Sequence, residues 1–294
     1  RIDFDEVTAV VGRGGLIRPI ESGVYEVNQK MVDDLLEGAR GEHASNLGGL
    51  IANDLLKDCP NAKAYIANPV VVDELEEIAR VSGHPLFPRK SIFHALNHKA
   101  TARKHAKAIG KQYEDINLII VHLGGGISVG AHRKGRVIDV NNAIGGEGPF
   151  SPERAGTLPI KDIILACYSG KYTQDEFLKM IIGKGGLAAY LDTNNALEVE
   201  KRVKQGDEKA ILIYGAMAYQ VAKMIGEMFT VLKGEVDAIL ITGGIAYDKW
   251  FVEKIKERVE KLAPCIIYPG ENEMEALASN GLRAILNPEI VKEY

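Results

Sequence analysis

An α/β fold is predicted by two features of this chain. Short runs rich in β-branched residues, most of them closed by glycine, recur along its length, and helix-length amphipathic segments lie between them. The chain has 294 residues, 46% hydrophobic and 26% charged, which excludes a disordered, collagen-like or coiled-coil protein. That length is sufficient for two domains.

The elements follow from these patterns in chain order. Strands are predicted at residues 7–11, 64–72, 118–123, 127–131, 136–140, 238–242 and 265–268. Apolar residues three and four positions apart predict helices at residues 28–39, 44–56, 91–109, 207–232, 248–262 and 271–286. Because residues 118–140 hold three strands and no helix, an antiparallel meander is predicted there. Residues 141–159, rich in glycine, proline and charge, predict a long functional loop.

Charge and cysteine usage exclude several classes of partner. The 36 Lys and Arg against 40 Asp and Glu give a net charge of −4, which argues against nucleic acid or a membrane as partner. Cys59, Cys167 and Cys265 are far apart, so neither a disulfide framework nor a thiolate metal site is predicted. No apolar run approaches the ~18–20 residues that span a bilayer, and we expect a cytoplasmic protein.

Two glycine-rich segments are candidate anion sites. The run His122-Leu123-Gly124-Gly125-Gly126 joins two predicted strands, and its glycines let backbone N–H groups approach a phosphate. The alternative is a tight turn that requires positive φ. Gly243, Gly244 and Ile245 follow another strand, where ligands of open α/β sheets bind. Neither the P-loop nor the Rossmann fingerprint occurs.

Four charged residues are candidates for chemistry. Arg13 and Arg154 lie in glycine-containing segments, and two guanidiniums reaching one site suit a phosphoryl group. Asp73 ends an apolar run and Glu273 opens the last helix, as expected of carboxylates that hold Mg²⁺. The alternatives are an N-cap of a helix at residues 74–81 for Asp73, and a first-turn acid facing the helix dipole for Glu273.

Two histidines lie four residues apart on one predicted helix. This spacing of His94 and His98 is compatible with zinc, but Ala95 stands where a metalloprotease needs its general base. A zinc hydrolase is therefore the least favoured hypothesis. A histidine that bonds to phosphate, or one satisfied in the core, fits better.

Taken in order, seven segments resemble the acetate kinase family of the sugar kinase, actin and Hsp70 superfamily, and members that act on butyrate in particular. The resemblance covers nearly the whole chain and rests on residues 11–15, 69–73, 93–99, 122–126, 154–159, 242–245 and 272–278. It implies a two-domain actin-like ATPase (ribonuclease H-like) fold with an interdomain cleft. By that resemblance, residues 1–74 and 273–294 form a first domain on the substrate and magnesium side, and residues 75–272 a second, nucleotide-binding domain.

The resemblance also implies an activity and its residues. A short-chain carboxylate kinase would transfer the γ-phosphoryl group of ATP reversibly to butyrate, or to a branched acid such as isobutyrate, with Mg²⁺. The implied catalytic residues are Arg13, Asp73, His94 and Arg154. Asp73 and Glu273 are the implied magnesium ligands. The implied nucleotide contacts are His122, Gly124, Gly125, Gly126, Asp192, Thr193, Gly243, Gly244 and Ile245. Family members associate at least as dimers, so a homo-oligomer is expected.

Two departures from the family pattern leave alternatives open. The match of Arg13 to the family's first arginine needs a gap, and Arg18 is the alternative. The family's Asn-x-Gly-Ser/Thr-rich first phosphate loop has no counterpart after Arg1, so we expect a fragment of a longer, N-terminally more complete enzyme. The rival hypothesis is a nucleotide-binding module without turnover.

Overall fold

A computed structural model describes residues 3–38, 41 and 44–294, and the chain divides into two compact units. The first unit comprises residues 1–74, 93–100 and 272–294, and the second comprises residues 75–92 and 101–271.

The helices are α1 (Gln29–Glu37), α2 (Asn46–Asp54), α3 (Glu77–Arg80), α4 (Ala95–Ala108), α5 (Ile160–Cys167), α6 (Gln174–Ile181), α7 (Gly186–Leu191), α8 (Ala196–Lys204), α9 (Glu208–Val231), α10 (Lys249–Val259) and α11 (Glu273–Leu286).

The first unit is built on a four-stranded mixed sheet. Its strands are β1 (Ala9–Arg13), β2 (Val24–Glu26), β3 (Lys63–Ala67) and β9 (Val291–Lys292), in the order β1-β3-β2-β9. Strand β1 is parallel to β3, β2 is antiparallel to β3, and β9 is parallel to β2.

Alternation along β3 buries both faces of this sheet. Ile66 packs with Met31 and Leu35 of α1 on one face, whereas Tyr65 packs with Leu277 of α11 on the other. Successive side chains of a strand point to opposite faces, so a single strand supplies both cores.

The second unit is built on a five-stranded sheet. Its strands are β4 (Asn117–Leu123), β5 (Ile127–Arg133), β6 (Arg136–Val140), β7 (Ala238–Gly243) and β8 (Cys265–Pro269), in the order β6-β5-β4-β7-β8. The first three pair antiparallel, which confirms the predicted meander, and β4, β7 and β8 are parallel. The carboxyl ends of β4, β7 and β8 therefore lie at one edge, where ligand sites of such sheets form.

The structure corrects two details of the sequence-based prediction. Asp73 is not a helix N-cap, because α3 begins at Glu77 and is preceded by Glu76 in extended conformation. Residues 160–204, where no helix was predicted, contain α5 to α8. Residues 141–159 form no helix and no named strand, as predicted.

Candidate active site

The glycine turn between β4 and β5 is shaped by the close approach of an arginine. None of Gly124, Gly125 and Gly126 has positive φ, so the tight-turn explanation based on φ is wrong. A Cβ at Gly126 would lie 2.1 Å from Nη1 of Arg154, whereas a Cβ at Gly125 would meet its nearest atom, Oε1 of Glu153, at 3.6 Å. Any side chain at position 126 would have to displace this guanidinium, which lies against the backbone.

Arg154 is held in the long loop beside this turn. Its Nη1 donates to the carbonyl of Ala143 at 2.7 Å, and its buried Nε has no hydrogen-bond partner among the described residues. Burial lowers the pKa of the guanidinium, and the charge of Glu153 opposes that shift. An arginine stays protonated even so, and a buried donor without a partner is suited to an anionic ligand.

The carboxyl end of β4 places His122 before the glycine turn. Its side chain is buried, and its Nε2 lies 3.4 Å from Oε1 of Glu271 in the segment that follows β8. Parallel pairing of His122 with Thr242 sets the ends of β4 and β7 side by side.

The second glycine site follows β7. Gly243 has φ +93°, and a Cβ there would lie 2.3 Å from the carbonyl oxygen of Leu123, so only glycine fits. A short 3₁₀ helix, Gly244–Tyr247, leads from this point to Asp248, the N-cap of α10. The two glycine segments predicted from sequence are thus adjacent in the second unit.

A cavity of about 480 Å³ in the second unit joins these segments. Gly124, Gly125, Gly244 and Ile245 contribute to its wall. The rest of the wall comes from Pro152, Asn194, Asn195, Ala196, Leu197, Glu200, Tyr214, Tyr247, Asp248 and Glu271. Its volume lies within the range of sites for a small organic ligand or cofactor.

Asp192 and Thr193 lie beside this cavity in sequence but do not form its wall. Asp192 ends α7 in a left-handed conformation, and the Thr193 hydroxyl donates to Oε2 of Glu198 at 2.8 Å. The next two residues, Asn194 and Asn195, line the cavity instead.

Arg13 and Glu273 meet in the first unit. Arg13 ends β1, Glu273 begins α11, and Nε of the arginine lies 2.7 Å from Oε1 of the glutamate. Arg18 has a different environment: its guanidinium carbon stacks 4.3 Å from the centre of the Tyr294 ring. Glu273 does occupy the first turn of α11, as predicted.

Asp73 and His94 are also placed in the first unit. The Asp73 backbone N–H donates to the carbonyl of Ile20 at 2.8 Å, which fixes this residue at the end of the segment after β3. His94 immediately precedes α4, and its carbonyl accepts the first helical hydrogen bond, from the N–H of His98. His98 is fully buried and packs edge-on against Phe93.

Residues 3–38, 41 and 44–294 contain neither a cluster of three metal-binding side chains nor a helix that could span a membrane. No three His, Cys, Asp or Glu side chains in these ranges converge as ligands of one metal ion. Likewise, no helix formed by them is long and apolar enough to cross a membrane.

Comparison with known proteins decides the family. A sequence profile of the Acetokinase family matches residues 83–289, more than half of the chain. This chain belongs to the acetokinase family. The resemblance predicted from its seven segments is thereby confirmed.

Two relatives of this chain come from Clostridium acetobutylicum. Butyrate kinase 1 is 56% identical over 293 residues, which cover 100% of this chain and 82% of that protein. Butyrate kinase 2 is 56% identical over 292 residues, with coverage of 99% and 82%.

Solved structures show that this chain has the actin-like ATPase fold. Porphyromonas gingivalis acetate kinase superposes with a TM-score of 0.81 at 20% identity, covering 95% of this chain and 79% of the other. A propionate kinase from Francisella tularensis gives 0.74 at 17% identity, covering 91% and 78%.

Sequence reasoning missed several polar residues of this chain. Tyr214 and Asp248 line the cavity, but neither was singled out, because Tyr214 lies on the long, apolar α9 and Asp248 is the N-cap of α10. Glu74 and Lys99 form a buried ion pair in the first unit. A charged residue inside an otherwise apolar segment was the available sequence signal for the ion pair. Such a charge requires a partner when it is buried.

Proposed function

We infer that this protein is an ATP-dependent kinase of short-chain carboxylates, which forms an acyl phosphate and ADP. Identity of 56% along the whole chain to two butyrate kinases carries this conclusion. The acceptor we propose is butyrate or a branched acid of similar size, such as isobutyrate. The same identity disfavours a nucleotide-binding module without turnover.

We propose that the cavity of the second unit takes the nucleotide. Gly124, Gly125 and Gly126 would face the phosphates, and Gly243, Gly244 and Ile245 the nucleoside. The exposed Gly125 at the tip of the turn supports this assignment, because backbone N–H groups without a neighbouring Cβ can approach phosphate oxygens closely. His122 would orient the turn from the end of β4, and Asp192 and Thr193 would support the adjoining wall.

The proposed reaction requires little proton transfer. A carboxylate oxygen of the acid attacks the γ-phosphorus, the bond from that phosphorus to the β–γ bridging oxygen breaks, and ADP leaves with the electron pair. Since the attacking oxygen is already anionic, no base is needed, and catalysis depends on positioning and on neutralising negative charge.

Arginines and a histidine are the proposed groups for that neutralisation. The unpartnered Nε of Arg154 supports a role at the transferring phosphoryl group. Arg13 would hold the acid's carboxylate, and its pairing with Glu273 favours it over Arg18, which is stacked on Tyr294. His94 would donate to the transferring oxygens.

Mg²⁺ is the proposed metal, and the chemistry of the first unit suits it. Asp73 and Glu273 offer carboxylate oxygens, the ligands that Mg²⁺ prefers, and kinases hold this ion with one or two carboxylates plus phosphates and water. When bound, the ion would neutralise charge on the phosphates.

We also propose a cytoplasmic homo-oligomer. The cysteines Cys59, Cys167 and Cys265 are all free, as in a reducing compartment. Helices α5 and α6 bury none of their own residues and expose large apolar side chains, which a second copy of the chain would cover. Light scattering after gel filtration tests the association, and a monomer at micromolar concentration would contradict it.

Trapping of the acyl phosphate as its hydroxamate tests the activity. The protein is incubated with Mg-ATP and butyrate, isobutyrate, propionate or acetate in parallel, with chelator-treated samples as controls. We expect the fastest reaction with butyrate or isobutyrate and none without Mg²⁺. Absence of product with all four acids would refute the proposed function.

A further inference from the structure

Ser151 is a buried polar residue of the long loop that the proposed mechanism does not use. The residue is only 1% exposed, and its hydroxyl donates to the carbonyl of Gly125 in the glycine turn at 2.7 Å. Both residues belong to the second unit. Because a buried hydroxyl is costly unless it is hydrogen-bonded, this contact holds the loop and the turn together.

The backbone of Ser151 is anchored to α7. Its carbonyl accepts from the N–H of Leu187 at 3.2 Å, and the carbonyl of Pro152 accepts from the N–H of Ala188 at 2.9 Å. Gly186, which begins α7, has φ +60°, and a Cβ there would lie 1.7 Å from the Ser151 carbonyl oxygen. Ser151 is thus a fixed point from which its hydroxyl reaches the turn.

Ser151 is also bonded to the segment that carries Arg154. Its N–H donates to the carbonyl of Arg154 at 2.9 Å, and the guanidinium of that arginine lies against Gly126, next to Gly125. Three contacts therefore close a ring. The Ser151 hydroxyl holds the turn, the turn contacts the guanidinium, and the carbonyl of the arginine returns to the Ser151 backbone.

The hydroxyl fixes the orientation of one peptide group of the turn. The peptide that joins Gly125 and Gly126 is planar and trans, so a carbonyl held by Ser151 directs the Gly126 N–H to the opposite side. The Gly124 N–H is already used, since it donates to the carbonyl of Gly126 at 3.1 Å. The N–H groups of Gly125 and Gly126 donate to no backbone carbonyl among the described residues, so they are the donors that the turn can offer to a ligand.

We propose that Ser151 is a positioning residue for binding of the nucleotide phosphates, which deepens the proposed function and rests on it. Its hydroxyl holds the peptide between Gly125 and Gly126 so that the N–H groups of the turn are preset for phosphate oxygens. Glycine peptides rotate readily because no Cβ restricts them, and without this bond the turn would have to be ordered when the nucleotide binds. In this role Ser151 acts through the turn and does not itself bind the nucleotide.

Titration calorimetry with ADP measures this role without requiring catalysis. Ser151→Ala removes the donor, so we expect ADP to bind about threefold to tenfold more weakly than to the unmodified protein. In assays of acyl phosphate formation, KM for Mg-ATP should rise by a similar factor. KM for butyrate should stay within about twofold, because Arg13, the proposed contact of the acid, belongs to the other unit.

Ser151→Cys separates the hydrogen bond from the filling of space. A thiol occupies the site of the hydroxyl but is a weak donor, so ADP should bind about as weakly as to Ser151→Ala. If the serine only fills space, the cysteine restores ADP affinity, which would overturn the proposal. Thermal melting of each variant measures a general loss of stability, which would raise KM for both substrates alike.

The matched control is Ser169→Ala. The Ser169 hydroxyl also donates to a backbone carbonyl, that of Ala166, at 2.7 Å. This serine is exposed, follows α5 and is not part of the cavity wall. Loss of its hydrogen bond should therefore leave ADP affinity and both KM values unchanged.

The outcomes separate this inference from the proposed function. ADP affinity that neither variant changes, in an enzyme that forms acyl phosphate, would overturn the role of Ser151 and leave the proposed function intact. Weaker ADP binding in both variants, with an unchanged control, would support that role even if no acyl phosphate were formed. Failure of the unmodified protein to bind ADP would overturn both.

Discussion

Lys99 and Glu74 form an ion pair inside the first unit, with Nζ 2.7 Å from Oε2 and side chains only 0% and 5% exposed. Ser22 donates to the other oxygen of the same carboxylate through its hydroxyl and its backbone N–H. This network joins the segment before β2, the residue after Asp73 and helix α4. It therefore fixes the segment that carries Asp73 and the helix that follows His94, both of which are candidate catalytic residues.

Removal of one partner should be far more harmful than removal of both. Lys99→Met leaves the Glu74 carboxylate buried without its cation, and we expect a loss of about 3–5 kcal/mol in the free energy of unfolding. The double variant Lys99→Met/Glu74→Leu should recover most of that loss, because no charge is left in the core. Urea denaturation measures the free energy of unfolding of both variants. A double variant that loses the sum of the two single-variant losses would contradict this account.

Replacement of Arg154 should reduce turnover more than binding. Arg154→Lys keeps the charge but loses the planar fork and the buried Nε donor, so we expect kcat for acyl phosphate formation to fall about 100-fold or more. Arg136→Lys, at an exposed arginine of the same unit, is the matched control and should retain the original rate. An Arg154→Lys enzyme with full kcat would exclude the proposed role.

The glycine turn offers a test of the contact with this arginine. Gly126→Ala places a Cβ 2.1 Å from Nη1 of Arg154 and must displace the guanidinium, whereas Gly125→Ala creates only ordinary contacts, at 3.6 Å. We expect Gly126→Ala to lose about tenfold more kcat than Gly125→Ala. In the double variant Gly126→Ala/Arg154→Lys the two losses should not add, because they act on one group. Equal effects of the two alanines would show that the close approach is unimportant.

The free energy of unfolding should depend on His105 in mildly acidic solution. Burial lowers the pKa of this histidine below 6.5, the charge of Asp237 opposes that shift, and Nδ1 lies 3.0 Å from the Tyr268 hydroxyl. The unfolded chain therefore takes up a proton first as the pH falls. The stabilisation is complete above about 6.5 and declines as the pH falls toward the lowered pKa of the folded state.

Urea titrations at several pH values measure this contribution. His105→Gln removes the titrating group, so the difference in unfolding free energy between the two proteins should shrink as the pH falls from 7.5 toward 5. A difference that stays constant across that range would contradict the assignment to His105.

Sequence reasoning predicted the elements whose patterns arise from local burial. The meander of β4, β5 and β6 was evident because β-branched residues alternate with turns within one short stretch. Helices α5 and α6 were not predicted, and although both carry apolar side chains, neither buries a residue of its own in the described structure. Strand β9 has two residues and exists only through its pairing with β2, which no local pattern predicts.

The candidate site was predictable to a similar degree. The glycines at positions 124–126 and 243–244 stood out, but the reason for Gly126 lay in Arg154, a residue distant in sequence. Tyr214 was not singled out, because α9 is long and apolar and a tyrosine within it gives no local sign of a cavity.

The first unit draws its strands from both ends of the chain, since Val24 pairs with Val291 while residues 101–271 belong to the other unit. During synthesis the second unit can fold from one nearly continuous stretch as it leaves the ribosome. The sheet of the first unit is complete only after β9 and α11 have been synthesised. Its pairings between residues far apart in sequence therefore form late. Until then β2 presents an unpaired edge, and nascent chains are most exposed to misassembly during this interval.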